Sequence, residues 1–229
     1  MKLLVFLLCF FMVFQSWGQD LSSTELLDKA IAYHDPTGNW EAFNGILYIT
    51  METPNKSNRE SEIHINLADD YFFLKATRDS VETKYTLKQG KCTTSITDTI
   101  SLNNKRTPCE TAKLYKNYYT YLYGLPMKLK DKGTNISEAV IKKTFKGKKY
   151  FVLKVTYDEE VGTDTWYFYF DPYTYAMEVY QFFKDESKND GEYILLTEEL
   201  TINNIRMPKN RAWYYNKDDG YLGTDILKQ

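Results

Sequence analysis

Hydrophobic and polar positions change period once along the first forty residues of the folded part of the chain. From Ser22 onward, Leu26, Leu27, Ala30 and Ile31 fall on one stripe, the spacing of an amphipathic helix. Ser22-Ser23-Thr24-Glu25 ahead of the stripe reads as a capping box, with Ser22 at the N-cap and Glu25 three residues on. The helix is expected to reach about Tyr33. His34-Asp35-Pro36 then ends it, because proline disfavours helix in the residue before it. From Trp40 the period becomes two. Ile46, Tyr48 and Thr50 alternate with Leu47, Ile49 and Met51, so that both faces carry apolar weight. After a turn at residues 55–58, Ile63, Ile65 and Leu67 alternate with Glu62, His64 and Asn66, as in a half-buried strand. Asp69-Asp70 turns the chain into residues 71–76, and residues 81–88 and 91–97 read as a hairpin across Gln89-Gly90.

The stretch 108–126 departs from this alternation and is the strong internal helix signal. On a helical wheel Lys113, Lys116, Asn117 and Thr120 share a narrow polar arc. Leu114, Tyr115, Tyr118, Tyr119, Tyr121, Leu122 and Tyr123 take the rest. That apolar arc is wider than a helix needs to lie on a flat sheet, and predicts a helix set into a concave one. Gly124 reads as its C′ glycine, with Pro126 just beyond. Period two then resumes. Residues 139–145 and 150–157 pair across Lys146-Gly147-Lys148, and 163–170 and 175–183 across Asp171-Pro172-Tyr173-Thr174. Residues 192–202 follow the turn Asn189-Asp190-Gly191, and short strands near 212–215 and 222–227 close the chain. The expectation is a mainly β (α+β) protein of ten or eleven strands and two helices. Consecutive hairpins without βαβ spacing argue for an antiparallel meander.

Composition adds compartment. Lys2 followed by an apolar run over residues 3–14, too short to span a bilayer, has the form of a signal peptide. Ser16-Trp17-Gly18 fits the small-x-small cleavage rule, so residues 1–18 are expected to be removed, leaving a single domain over 19–229. Cys9 lacks the small residues before it that a lipid-attachment site requires, so a periplasmic or secreted, non-lipidated protein is expected. The leader carries only Lys2, so the mature charge is 28 − 31 = −3, too balanced to indicate nucleic-acid binding. Cys92 and Cys109 remain after cleavage and read as a disulfide in an oxidising compartment, two free buried thiols being the alternative. Charge is unevenly spread: residues 126–149 hold eight lysines against Asp131 and Glu138. This block is either a solvated hairpin end or a docking patch for an anionic membrane surface or acidic partner.

Catalytic chemistry leaves no motif. The two histidines, His34 and His64, lack metal-ligand spacing. The segment Asp185 to Gly191 fails as a calcium loop, because its glycine falls one residue late and Leu196 stands where a glutamate is required. There is no G-x-S-x-G elbow and no phosphate-cradling glycine loop. Paired carboxylates such as Asp69-Asp70 sit in turns, so neither an enzyme nor a cofactor is expected, a hydrolase on envelope material being the third and least favoured reading. What remains is apolar excess. Trp166, Phe168 and Phe170 oppose Tyr167 and Tyr169 on one strand; Met177, Val179 and Phe183 oppose Ala176, Tyr180 and Phe182 on the next. Either both sheet faces are covered, or one lines an apolar cavity.

The order of elements, an exported amphipathic helix and then a meander interrupted by a helix, resembles the periplasmic lipoprotein-carrier superfamily typified by LolA and LolB. Residues 166–177, WYFYFDPYTYAM, and 200–208, LTINNIRMP, are similar to its strand–Asp-Pro–strand hairpin and its late Asn-Gly-x-x-Pro turn, with Ile205 in place of the glycine. Tyr33-His34-Asp35-Pro36…Trp40 and Tyr118-Tyr119…Leu122-Tyr123-Gly124-Leu125-Pro126 resemble an uncharacterised secreted Bacteroidota family of that superfamily. The resemblance implies an incomplete antiparallel barrel with helices plugging its concave face over an apolar cavity. It also implies non-catalytic carriage of a lipid, lipoprotein or other apolar ligand. On that geometry the expected cavity lining is Leu114, Tyr115, Tyr118, Tyr119, Leu122, Trp166, Phe168 and Phe170. The alternative is an envelope module whose aromatic faces meet a protein or glycan without a ligand cavity.

Overall fold

The computed structural model describes residues 21–97 and 106–228; the leader expected over residues 1–18 lies outside them. Helix α1 (Ser23–His34) starts on the expected capping box. Ser22 Oγ accepts from the Glu25 amide, and the Glu25 carboxylate accepts from the Ser22 amide at 2.9 Å. Five strands follow: β1 (Asn44–Thr53), β2 (Lys56–Asn66), β3 (Tyr71–Arg78), β4 (Val81–Lys88) and β5 (Lys91–Ile96). Helix α2 (Pro108–Tyr123) comes next, then β6 (Thr134–Ile136), β7 (Ile141–Phe145), β8 (Lys148–Tyr157), β9 (Thr165–Phe170), β10 (Met177–Phe183), β11 (Glu192–Ile202), β12 (Ile205–Tyr215) and β13 (Tyr221–Lys228).

The described residues form thirteen strands, not ten or eleven, in one open, curved antiparallel sheet. Two features depart from the expected pattern. The three-residue β6 is too short to show a period, and it shares one edge of β8 end-to-end with β7. The late strand β12 begins at Ile205, much earlier than its pattern suggested, because Asn203 and Asn204 both take positive φ, at 50° and 63°. Asparagine tolerates the left-handed region, so this pair makes a tight hairpin turn without the expected glycine. The strand order is β5-β4-β3-β2-β1-β13-β12-β11-β10-β9-β8-β6. Chain order and sheet order therefore agree except at one seam, where β1 pairs with β13 and brings the two ends of the chain together.

The main core fills the concave face. Leu47 and Ile49 of β1, Ile63 and Ile65 of β2, Phe72 and Leu74 of β3, and Phe168 and Phe170 of β9 meet Leu26, Leu27 and Ala30 of α1, with Tyr119, Leu122 and Tyr123 of α2. A second, smaller core lies on the other face, where Tyr150, Val152, Tyr169 and Val179 pack with Ile141 and Phe145. The two-faced apolar strands of the second half are explained by this pair of cores: Trp166 and Phe168 point in, Tyr167 and Tyr169 out.

His34, the last residue of α1, is a buried clamp. Its Nδ1 donates to the Arg206 carbonyl at 2.8 Å and its Nε2 accepts from the Met177 amide at 2.9 Å. Burial drives its pKa down to about 4, so the ring is neutral. Asp35 continues the clamp by accepting from the amides of Asn39 and Trp40, both at 2.8 Å. The calcium-like segment is a turn, as expected: Gly191 takes φ +84°, and a Cβ there would meet the Phe182 carbonyl oxygen at 2.1 Å.

Candidate functional site beneath the aromatic helix

Helix α2 is fixed at both ends. Thr107 caps it, Glu110 closes a second capping box, and Pro108 occupies the first turn, where its missing N–H costs nothing. Cys109 is bonded to Cys92 of β5, with Cα atoms 6.0 Å apart. Lys116 pairs with Asp70 in the β2–β3 turn. At the other end Gly124 is not the left-handed C′ residue expected, since its φ is −92°. Glycine is required there for a different reason: a Cβ would lie 2.2 Å from the Trp40 ring, which is packed flat against the helix end.

Of the eight residues predicted to line a cavity, the structure brings seven into one aromatic layer between α2 and the sheet. Tyr119 and Leu122 are buried with Phe168 and Phe170, while Tyr115, Tyr118 and Trp166 are half-buried against them. Tyr119 stacks between Tyr115 and Phe72, at ring-centroid distances of 6.2 and 6.4 Å. Tyr118 stacks on Trp213 at 6.2 Å, and Tyr121 meets Trp166 edge-on at 5.9 Å. Leu114 stands apart: 49% exposed, it lies on the outer side of the helix. These rings pack on each other, and the two surface pockets described lie elsewhere. One, of about 510 Å³, is lined by Lys143, Lys148, Tyr150, Asp171 and Tyr173 among others. The second, of about 460 Å³, is lined by Tyr33, Thr174, Met177, Glu199 and Pro208 among others.

Hydrophobic patterning missed the charged residues of this layer. In register across the sheet stand Arg59 of β2, Met51 of β1, Asp225 of β13 and Arg211 of β12, each directly opposite the next. Opposed residues of an antiparallel pair point to the same face, and here that face is the concave one. Arg78 at the end of β3 joins them, its guanidinium reaching Met51 Sδ at 4.0 Å. Three of the five arginines in the chain thus share one place. Arg211 is 1% exposed and Asp225 2%.

Tyrosines of α2 meet this row. Arg59 donates to the Tyr119 hydroxyl at 3.0 Å, Tyr118 donates to Asp225 at 3.2 Å, and the Arg211 guanidinium lies 3.8 Å from the Tyr123 ring centre. Burial raises the pKa of the Asp225 carboxyl, with Arg59 and Arg211 pulling it the other way. Burial likewise pushes Tyr119 up to about 12 and holds Tyr118 and Tyr123 well above the usual tyrosine value, so all three remain hydroxyls. Several buried atoms of the cluster have no hydrogen-bond partner within the protein: Nε of Arg59, Arg78 and Arg211, the hydroxyls of Tyr123 and Tyr180, Trp213 Nε1 and Asp225 Oδ1. Native interiors leave few such groups. A sequence signal did exist, namely arginine at inward-facing positions of otherwise apolar strands, but only the strand register shows that the three converge.

The lysine block meets carboxylates. Lys128 pairs with Asp131, Lys130 with Asp28, Lys146 with Asp219, and Lys148 with both Asp171 and Glu178. Lys143 donates to the Tyr169 hydroxyl at 2.9 Å on the outer face. Among the described residues no group of three or more His, Cys, Asp or Glu is arranged to hold a metal ion, and no helix is long and apolar enough to cross a membrane.

A family model described as "Family of unknown function (DUF6503)" matches residues 1–228. No curated protein matches the sequence. Among solved structures, the chain is similar to a LolA superfamily protein from Nitrosomonas europaea, at 9% identity and TM-score 0.53, over 91% of this chain and 92% of that one. It is also similar to a DUF1329 family protein from Desulfovibrio piger, at 8% identity and TM-score 0.53, over 90% and 91% of the two chains. A putative outer membrane lipoprotein-sorting protein domain from Vibrio parahaemolyticus aligns over 90% and 89% at 11% identity with a TM-score of 0.49. The fold is LolA-like.

Proposed function

The chain belongs to the DUF6503 family of unknown function, and we propose that it is a non-catalytic periplasmic protein that binds or carries a lipid, a lipoprotein or another apolar ligand between the concave sheet and α2. In this reading residues 1–18 are an export signal and 19–229 the working domain. The observation that carries it is the composition of the layer under α2. A helix with tyrosines on several sides is set into the curved side of an open sheet, and the buried polar atoms without a partner in the protein include three guanidinium Nε atoms. Displacing α2 would expose aromatic rings to an acyl chain, with apolar burial supplying affinity at roughly 25 cal/mol per Å². Tyr115, Tyr118, Tyr119, Leu122, Trp166, Phe168 and Phe170 are the lining we assign. Native mass spectrometry of the protein isolated from the periplasm of expressing cells is expected to show a retained lipid, and a fluorescent acyl probe is expected to be displaced by it. Absence of both a retained lipid and probe binding would defeat the proposal.

A second reading is an envelope protein- or glycan-interaction module without a ligand cavity. It is favoured by the close packing of Tyr119, Leu122 and Tyr123, which already fill the space they occupy. Locking α2 in place would leave such a module active and would stop a carrier. Docking to anionic membrane through the lysines of 126–149 is the weaker part of the proposal, because four of those lysines already pair with carboxylates.

A further inference from the structure

We infer that the arginine row on the concave face is the seat of the ligand's headgroup, and that the ligand is an amphiphile whose head is an anionic carboxylate or phosphate ester. The inference rests on the carrier reading and adds to it the chemical class of what is carried. Its basis is a donor and charge imbalance in one buried place. Arg59, Arg78 and Arg211 contribute three positive charges to the row, and Asp225 is the one carboxylate standing in register among them. The unpartnered atoms are biased the same way. The three guanidinium Nε atoms and Trp213 Nε1 can only donate, whereas Asp225 Oδ1 can only accept. Trp213 lies next to Asp225 and Tyr180 next to Arg211, and crediting both pairs with satisfying each other still leaves the Nε donors of Arg59 and Arg78.

The geometry suits a terminal head. The row lies toward the end of the sheet where β1 turns into β2 at Thr53 and β3 turns into β4 after Arg78. From there the concave face continues through Ile49, Ile63 and Leu227, all apolar and buried, along the direction an acyl chain would take. An oxyanion reaching Arg59 and Arg211 would receive charge-assisted hydrogen bonds in a dry setting, where they are strongest. A neutral ester head would meet the same donors with weaker acceptors. A quaternary ammonium head would bring a cation to a site already in positive excess, which costs rather than gains.

The test uses the full-length protein freed of bound lipid and a set of sixteen-carbon amphiphiles differing in the head: palmitate, palmitoyl lysophosphatidate, monopalmitin and hexadecyltrimethylammonium. Isothermal titration is expected to show palmitate or lysophosphatidate binding about tenfold or more tightly than monopalmitin, with the two anions distinguishing carboxylate from phosphate. Arg59→Gln and Arg78→Gln, at half-buried positions, are each expected to erase most of that preference, weakening the anions far more than monopalmitin. Arg211→Gln, fully buried, is expected to fold poorly and is not relied on. Equal affinity for all heads would overturn the headgroup assignment while leaving the carrier reading intact. No binding of any member would overturn both.

Discussion

His34 has both ring nitrogens committed, and its neutrality is part of the fold. Its folded pKa of about 4 lies below the ordinary 6.5, so between those values the unfolded chain binds a proton that the native protein does not. The stability it contributes is therefore complete above about pH 6.5 and falls as pH drops toward 4, a loss of roughly 3 kcal/mol across the window. Urea unfolding followed from pH 7 to pH 4 is expected to show that decline, and His34→Gln is expected to flatten it while lowering stability at neutral pH. A slope unchanged by the substitution would place the acid sensitivity elsewhere. Gly124 is a residue-scale counterexample to reading a sequence by local rules. It looks like a helix-terminating glycine and is kept small by a ring from eighty residues away.

Helix α2 owes its boundaries to its own residues and its position to others. Thr107, Pro108 and Glu110 start it locally, and its tyrosine-rich faces are legible as a wide apolar arc. What ties it to the sheet is the Cys92–Cys109 bond, joining β5 at the sheet edge to the first turn of the helix across a separation of 17 residues. Loop closure of that length stabilises the folded chain by about 3 kcal/mol on the chain-entropy model. The Cys92→Ser, Cys109→Ser double variant is expected to lose that much in denaturant unfolding and to bind an acyl probe faster, because the helix start is no longer held. An unchanged unfolding midpoint would show that the bond contributes nothing to holding the helix.

The whole molecule depends on one seam. Eleven of the strand pairings join neighbours or near neighbours in sequence, whereas β1–β13 brings together residues such as Ile49 and Leu227, both buried. The seam also completes the arginine row, since Asp225 stands between Met51 and Arg211. Deleting residues 221–229 is expected to abolish cooperative thermal unfolding by circular dichroism instead of merely lowering the midpoint, because it exposes the inner edges of β1 and β12 together and removes Leu227 from the core. A truncated chain that still unfolds cooperatively would mean that the two halves of the sheet are independently stable.

Much of this architecture is written in local pattern. Period two with turn residues between the runs determines an antiparallel meander. The two capping boxes determine where α1 and α2 begin, and the width of the tyrosine arc determines that α2 sits in a concavity. These follow from sequence because each depends on residues a few positions apart. Tertiary structure decided the rest. It set the place of β13 beside β1 and turned Tyr167 and Tyr169 into a second core. It buried His34 against strands more than a hundred residues away, and it aligned Arg59, Asp225 and Arg211 across the sheet. Strand order and register bring such residues together, and both are settled by long-range pairing and burial that no window of sequence contains.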